Sequence, residues 1–124
     1  MDTLILQISG LDGENVDFEE FKKIMSPYGK VQVKGKNCFF HREIEIANSR
    51  GEPKKTISSL LAELFEIKGY LRSISDAGAD LVFIWFADPT MRETYIFGLT
   101  PAQMSEISEF GIGINCPYWS WSVT

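Results

Sequence analysis

The stretch DLVFIWFAD, residues 80 to 88, constrains the fold more than any other part of the chain. Seven consecutive apolar residues, Leu81 to Ala87, stand between two aspartates. The run is far short of the about 18 apolar residues that a membrane span needs. It reads as a strand covered on both faces, and therefore as a strand in the interior of a sheet. Trp85 falls inside it and is expected in the core. A chain with such a strand must supply further strands to flank it and helices to cover it.

The flanking sequence supplies both. LILQIS, residues 4 to 9, alternates with Leu4, Leu6 and Ile8 on one face, as a strand does. DFEEFKKIM follows a turn-rich stretch and reads as a short helix. Asp17 is its N-cap with Glu20 three residues on, and Phe18, Phe21, Ile24 and Met25 form its apolar stripe. Glu19 and Glu20 in the first turn and Lys22 and Lys23 near the end suit the helix dipole. Residues 30 to 34 form a second strand with Val31 and Val33 inward. A KGKN turn leads into a third, CFFHREIEI, residues 38 to 46. On that strand Phe40, Arg42, Ile44 and Ile46 share one face, and Phe39, His41, Glu43 and Glu45 the other.

Thr56 is expected to cap the next helix, with Ile57, Leu60, Leu61, Leu64 and Phe65 buried. Gly69 interrupts it, and Leu71 and Ile74 point inward beyond, as one kinked helix or two short ones. After the apolar strand, TYIFGL (residues 94 to 99) reads as another strand. LTPAQMSEISEFG then opens a helix with three signals together: Thr100 as N-cap, Pro101 at the first helical position and Gln103 completing a capping box. Met104, Ile107 and Phe110 are its stripe and Gly111 its stop. A last strand is expected from Gly113 to Val123.

The two ends of the chain echo each other. ISGL at 8 to 11 matches IFGL at 96 to 99, each ending a strand before a short helix that closes on an aromatic residue and glycine. The pattern predicts one α+β domain over residues 1 to 124. Its sheet is mixed or antiparallel, with about five to seven strands, and carries three or four helices. Two βαβ half-repeats in it would give a ferredoxin-like sheet. Size, acidity and element order together resemble small bacterial α+β domains of the toxin-immunity type. The resemblance implies a protein inhibitor; no residue motif carries it, so no site is transferred.

Charge narrows the function classes. The net charge is −5 and the isoelectric point about 4.8. Nucleic-acid backbones and anionic membranes both demand basic surfaces, so neither is expected as partner. The N-terminus, MDTLILQISG, lacks the basic segment of a signal peptide, so a cytoplasmic, reduced protein is expected. Cys38 and Cys116 are then small hydrophobes, unless neighbouring strands bring them into a disulfide.

Catalytic signatures are sparse. GxSxG, the P-loop and GxGxxG are missing from the sequence, and His41 is the one histidine. His41, Glu43 and Glu45 form a row on one strand face, which reads as an exposed polar face rather than a metal site. Cys38 and His41 lie three apart and point to opposite faces; Cys116 with His41 stays open as a nucleophile pair. Asp76, Asp80 and Asp88 flank the apolar strand and read as loop caps. No cofactor and no metal are expected.

Two features speak to partners. DGENVDFEE, residues 12 to 20, carries Asp12, Glu14, Asp17, Glu19 and Glu20, a charge cluster suited to a basic protein surface. The tail PYWSWSVT alternates. Trp119, Trp121 and Val123 are expected to face the core, and Tyr118, on the opposite face, to be available for contact. The expectation is a non-enzymatic protein-binding module, an immunity-type inhibitor of a basic toxin or nuclease domain, acting as a monomer or weak homodimer. A small-ligand or regulatory domain is the alternative. An enzyme using carboxylates or cysteine ranks third.

Overall fold

The structure, a computed structural model, describes residues 2–46, 52–86 and 99–115. Among the described residues, five strands form one sheet in the order β2-β3-β1-β4-β5. They are β1 (Asp2–Asp12), β2 (Lys30–Lys34), β3 (Asn37–Ile46), β4 (Asp80–Phe86) and β5 (Ile112–Asn115). Four helices accompany them: α1 (Phe18–Met25), α2 (Glu52–Glu63), α3 (Lys68–Asp76) and α4 (Pro101–Glu109), with a 3-10 turn, Phe65–Ile67, between α2 and α3. β1 lies at the centre, antiparallel to both β3 and β4. β2 is antiparallel to β3, and β5 is parallel to β4. The sheet is therefore mixed, and its first four strands follow the ferredoxin-like βαββαβ order. β5 extends that sheet by one strand beyond β4.

Strand alternation sorts the sheet into two unlike faces. Leu4, Leu6 and Ile8 of β1, Phe40 of β3, and Leu81, Phe83 and Trp85 of β4 are buried on one face. They form one cluster with Phe21 and Met25 of α1, Ile57, Leu60 and Leu61 of α2, Leu71 and Ile74 of α3, and Ile107 of α4. The opposite face carries Thr3, Ile5, Gln7 and Ser9 of β1 with Val82, Ile84 and Phe86 of β4, all half-buried. So β4 is interior, as its apolar run requires, but its burial alternates rather than being complete on both sides.

Several local expectations need correction. α2 begins at Glu52, which puts Thr56 inside the helix; Pro53 sits in the first turn, where its missing N–H costs nothing. The break between α2 and α3 falls at the 3-10 turn, ahead of Gly69, which lies within α3. Phe65 on that turn is exposed. Val33 is 51% exposed and Met104 59%. Val33 stands near the end of the edge strand beside the hairpin turn, and Met104 lies one turn before Ile107, toward the start of α4. Of the strand expected at 94 to 99, residues 94 to 98 lie outside the described residues and Leu99 is not in a strand; most of the last strand beyond Asn115, Cys116, Trp119, Trp121 and Asp88 also lie outside them. The echo between the two chain ends rests on that first strand and lies outside them likewise.

α4 is tied to the α2–α3 arm by polar contacts. Gln103 donates to Ser58 at 2.9 Å, Arg72 to the Ser108 carbonyl at 2.9 Å and Lys68 to Glu109 at 2.6 Å. The Lys68 ammonium also lies 5.4 Å from the centre of the Phe110 ring. That hydrogen bond and charge hold the Glu109 carboxyl below its usual range. Thr100 caps α4 with both halves of the capping box present. No helix among the described residues is long and apolar enough to cross a membrane.

Candidate functional site

The acidic segment is built by a register break. β1 pairs regularly with β3 from Asp2 to Ile8, and the register shifts before Leu11. Gly10 occupies the shift with φ +71°, and a Cβ there would lie 3.2 Å from Asp80 Oδ2. The break bends β1 at its end, so that Asp12 pairs with Asn37 and the chain turns toward α1.

Two carboxylates then shape the turn and three point away from it. The Asp12 carboxylate accepts the backbone N–H groups of Glu14 at 2.8 Å and Asn15 at 3.0 Å. Asp17 caps α1, accepting from the N–H of Glu19 at 3.0 Å and of Glu20 at 3.3 Å. Val16 is buried between them and pins the turn to the core. Asn15 donates to the carbonyl of Ala77 at 3.3 Å, joining the turn to the end of α3. Glu14, Glu19 and Glu20 are exposed around a shallow concavity lined by residues 13 to 19. All five carboxylates expected as a partner surface are exposed, but Asp12 and Asp17 spend lone pairs on backbone. Tyr118 lies outside the described residues.

A charge feature beside this surface escaped the sequence reading. Residues 21 to 42 contain no Asp or Glu but hold Lys22, Lys23, Lys30, Lys34, Lys36 and Arg42. The signal was available: a 22-residue carboxylate-free window directly follows the acidic cluster. The Asp12–Asn37 pairing brings the β2–β3 turn, with Lys34 and Lys36, to the same end of the sheet as the acidic segment. That end is bipolar rather than uniformly acidic.

The remaining sequence candidates resolve by face. Cys38 is buried on the helix-covered side, where burial pushes its thiol up; His41 is exposed on the other side. His41 Nε2 lies 3.9 Å from Glu43 Oε2. Among the described residues no group of three or more His, Cys, Asp or Glu side chains is placed to hold a metal ion. Asp76 pairs with Arg72 at 3.3 Å. Tyr70 on α3 has a buried hydroxyl with no hydrogen-bond partner among the described residues. Burial first, then the Glu20 and Asp17 carboxylates, raise its pKa to about 12. A phenol so raised stays neutral and is a poor nucleophile or base.

Compared with protein-family models, with curated proteins and with solved structures, the chain matches none.

Proposed function

We propose that this protein is a non-enzymatic recognition module, an immunity-type inhibitor whose acidic edge covers a basic surface on a toxin or nuclease domain. One observation carries the reading. Glu14, Glu19 and Glu20 are exposed on one short segment, while Asp12 and Asp17 hold its backbone in place. A preorganised anionic edge loses little entropy on binding and steers a basic partner toward it. Among the described residues, the Tyr70 phenol is held neutral and the Cys38 thiol is buried, which favours recognition over catalysis.

The test is direct titration calorimetry against the products of genes adjacent to its own, with wild type and with Glu14→Gln/Glu19→Gln/Glu20→Gln. The expected result is one basic partner bound more weakly as salt rises, with affinity lost in the triple variant. Binding unchanged by the three substitutions would remove the acidic edge from the interface. Asp12 and Asp17 stay untouched in the test because changing them alters the loop itself.

A further inference from the structure

β2 is the outermost described strand on its side of the sheet, and the geometry of its free edge follows from the hairpin that joins it to β3. Lys34 faces Asn37 across a two-residue turn, so that pair exchanges both backbone bonds. The alternation of an antiparallel ladder repeats the exchange at Gln32–Phe39 and Lys30–His41. The N–H and C=O groups of Val31 and Val33 therefore point away from β3. Side chains divide by face. Val31 and Val33 lie on the side of Phe40 and Cys38, which the helices cover; Lys30, Gln32 and Lys34 lie on the side of His41, Phe39 and Asn37. All five but Val31 are exposed, Val33 to 51%. By register, the nearest carboxylates on the strands are Glu43, two residues past His41, and Asp12, two strands in from Lys34. Each is about 8–10 Å away. Chain length keeps the remaining stretches from running along this edge. A strand beyond β2 would lie about 19 Å from β4 and about 24 Å from β5. Residues 116 to 124 extend at most about 32 Å from Asn115, and residues 87 to 98 must return to Leu99, so neither has length left to pair along β2. Residues 47 to 51 extend at most about 18 Å from Ile46, which stands about 20 Å along β3 from the row of Val31.

We infer that the free edge of β2 takes up an extended acidic segment of a partner protein, added antiparallel as a further strand. Opposite Val31 and Val33 the segment places two apolar side chains, which cover Val33, and at each of these positions it exchanges both backbone bonds with the edge. Opposite Lys30 and Lys34 it places two carboxylates, and against Gln32 any residue. The pattern recognised is acidic, apolar, any, apolar, acidic. Charge decides against a second copy of this chain as the occupant. A two-fold axis at Gln32 would pair Val31 with Val33 and satisfy the backbone, but it would set Lys30 against Lys34 twice. Like charges directly opposite one another destabilise a strand pair, and lysines guard an edge from its own kind in this way. Guarding alone accounts for the lysines but not for Val33, whose exposed side chain on the helix-covered side gains from being covered by an added strand. The edge is separate from the exposed Glu14, Glu19 and Glu20, so the inference stands apart from the reading of the acidic segment.

The probe is the peptide GSEVTVEGS, titrated to millimolar concentration into the isotope-labelled full chain, with amide shifts and hydrogen exchange read on the same samples. In the chain alone the amides of Val31 and Val33 should exchange freely and those of Gln32 and Lys34 slowly. With the peptide, saturable shifts should gather on β2, and the two valine amides should slow by about tenfold or more. Two control peptides should fail: GSKVTVKGS sets lysine against lysine, and GSEPTPEGS lacks the N–H donors that face the edge. Lys30→Glu/Lys34→Glu, at two exposed positions and checked for fold by circular dichroism, should reverse the choice and bind GSKVTVKGS about tenfold or more tightly than GSEVTVEGS. Glu14→Gln/Glu19→Gln/Glu20→Gln should bind GSEVTVEGS as wild type does, which separates this edge from the acidic segment. Val31 and Val33 amides already protected in the chain alone would show the edge to be taken and overturn the inference. Shifts gathered away from β2, no saturable shift at millimolar peptide, or equal binding of the acidic and basic peptides overturns it as well.

Discussion

Asp12 and Asn15 bind each other's backbone. The Asp12 carboxylate accepts the Asn15 N–H at 3.0 Å, and the Asn15 side-chain oxygen accepts the Asp12 N–H at 2.8 Å. The asparagine amide nitrogen then donates to the carbonyls of Gly10 and Ala77, both at 3.3 Å. One side chain thus closes the turn, steadies the register break and attaches both to α3. Asn15→Ala removes all three bonds at no change in charge. It should destabilise the protein by about 1–2 kcal/mol, since exposed hydrogen bonds are worth less than buried ones. Glu14→Gln, one residue away, should leave stability within about 0.5 kcal/mol. Urea midpoints of the two variants make the comparison. Equal loss in both would mean that the turn is not held by Asn15.

Gly111 ends α4 with φ +78°, and a Cβ there would stand 2.7 Å from both Cβ and Oγ of Ser75. Ser75 in turn donates to the Gly111 carbonyl at 3.1 Å. The contact joins the ends of α3 and α4 just before β5 begins, so neither backbone can retreat without disturbing a strand entry. Gly111→Ala combines left-handed backbone strain with a steric clash, and should cost about 2–4 kcal/mol. Ser75→Gly removes the clash together with the Ser75 hydrogen bond and costs helix propensity, so, measured against Ser75→Gly alone, Gly111→Ala should cost about half as much as in wild type. Thermal unfolding of the single and double variants separates the two contributions.

Arg42 sits among apolar neighbours on the helix-covered side of β3, a placement that alternation with Phe40 and Ile44 already requires. Its guanidinium donates to the Tyr28 carbonyl at 3.2 Å and to Glu63 at 2.9 Å, so it joins the chain after α1 to the end of α2. Two acceptors in different directions suit a rigid fork better than a single ammonium. Arg42→Met should destabilise by about 1–2 kcal/mol by stranding the Tyr28 carbonyl. Arg42→Lys should recover less than half of that. Full recovery by lysine would show that charge alone, rather than the fork, holds the junction.

The legible parts of the fold were those with a local cause. The Asp17 cap, the Thr100 capping box and the alternating faces of β1 and β3 depend on residues a few positions apart, and all three are present. The start of α2 was misjudged because Thr56 is a good cap in isolation, while the helix gains an extra turn from Glu52 onward. Val33 and Met104 were misplaced because periodicity tells which residues share a face, but not where that face runs off the edge of the core. The acidic cluster was legible as composition. Its division into two shaping carboxylates and three outward ones was not, since that depends on the register break at Gly10. The approach of the Lys34–Lys36 turn to the acidic segment needed the pairing of β3 with β1, a long-range relationship that no local pattern encodes.

The Tyr70 hydroxyl is buried and unpaired among the described residues, and its consequences are measurable in two ways. A buried hydroxyl without a partner costs desolvation, so Tyr70→Phe should hold or raise stability at neutral pH, by up to about 1 kcal/mol. The pH dependence follows from the direction of the shift. Burial, Glu20 and Asp17 raise the folded-state pKa from 10.0 to about 12, so the folded protein keeps its proton where the unfolded chain has lost it. The stabilisation is therefore complete below the unfolded pKa and is lost as pH climbs from 10 toward 12. Wild type should weaken across that window more steeply than Tyr70→Phe, in denaturant midpoints measured at each pH. Tyrosinate absorbance should show one of the four tyrosines ionising later than free phenol, and that late step should vanish in the variant. An identical pH profile for the two proteins would place the Tyr70 hydroxyl in water rather than in the interior.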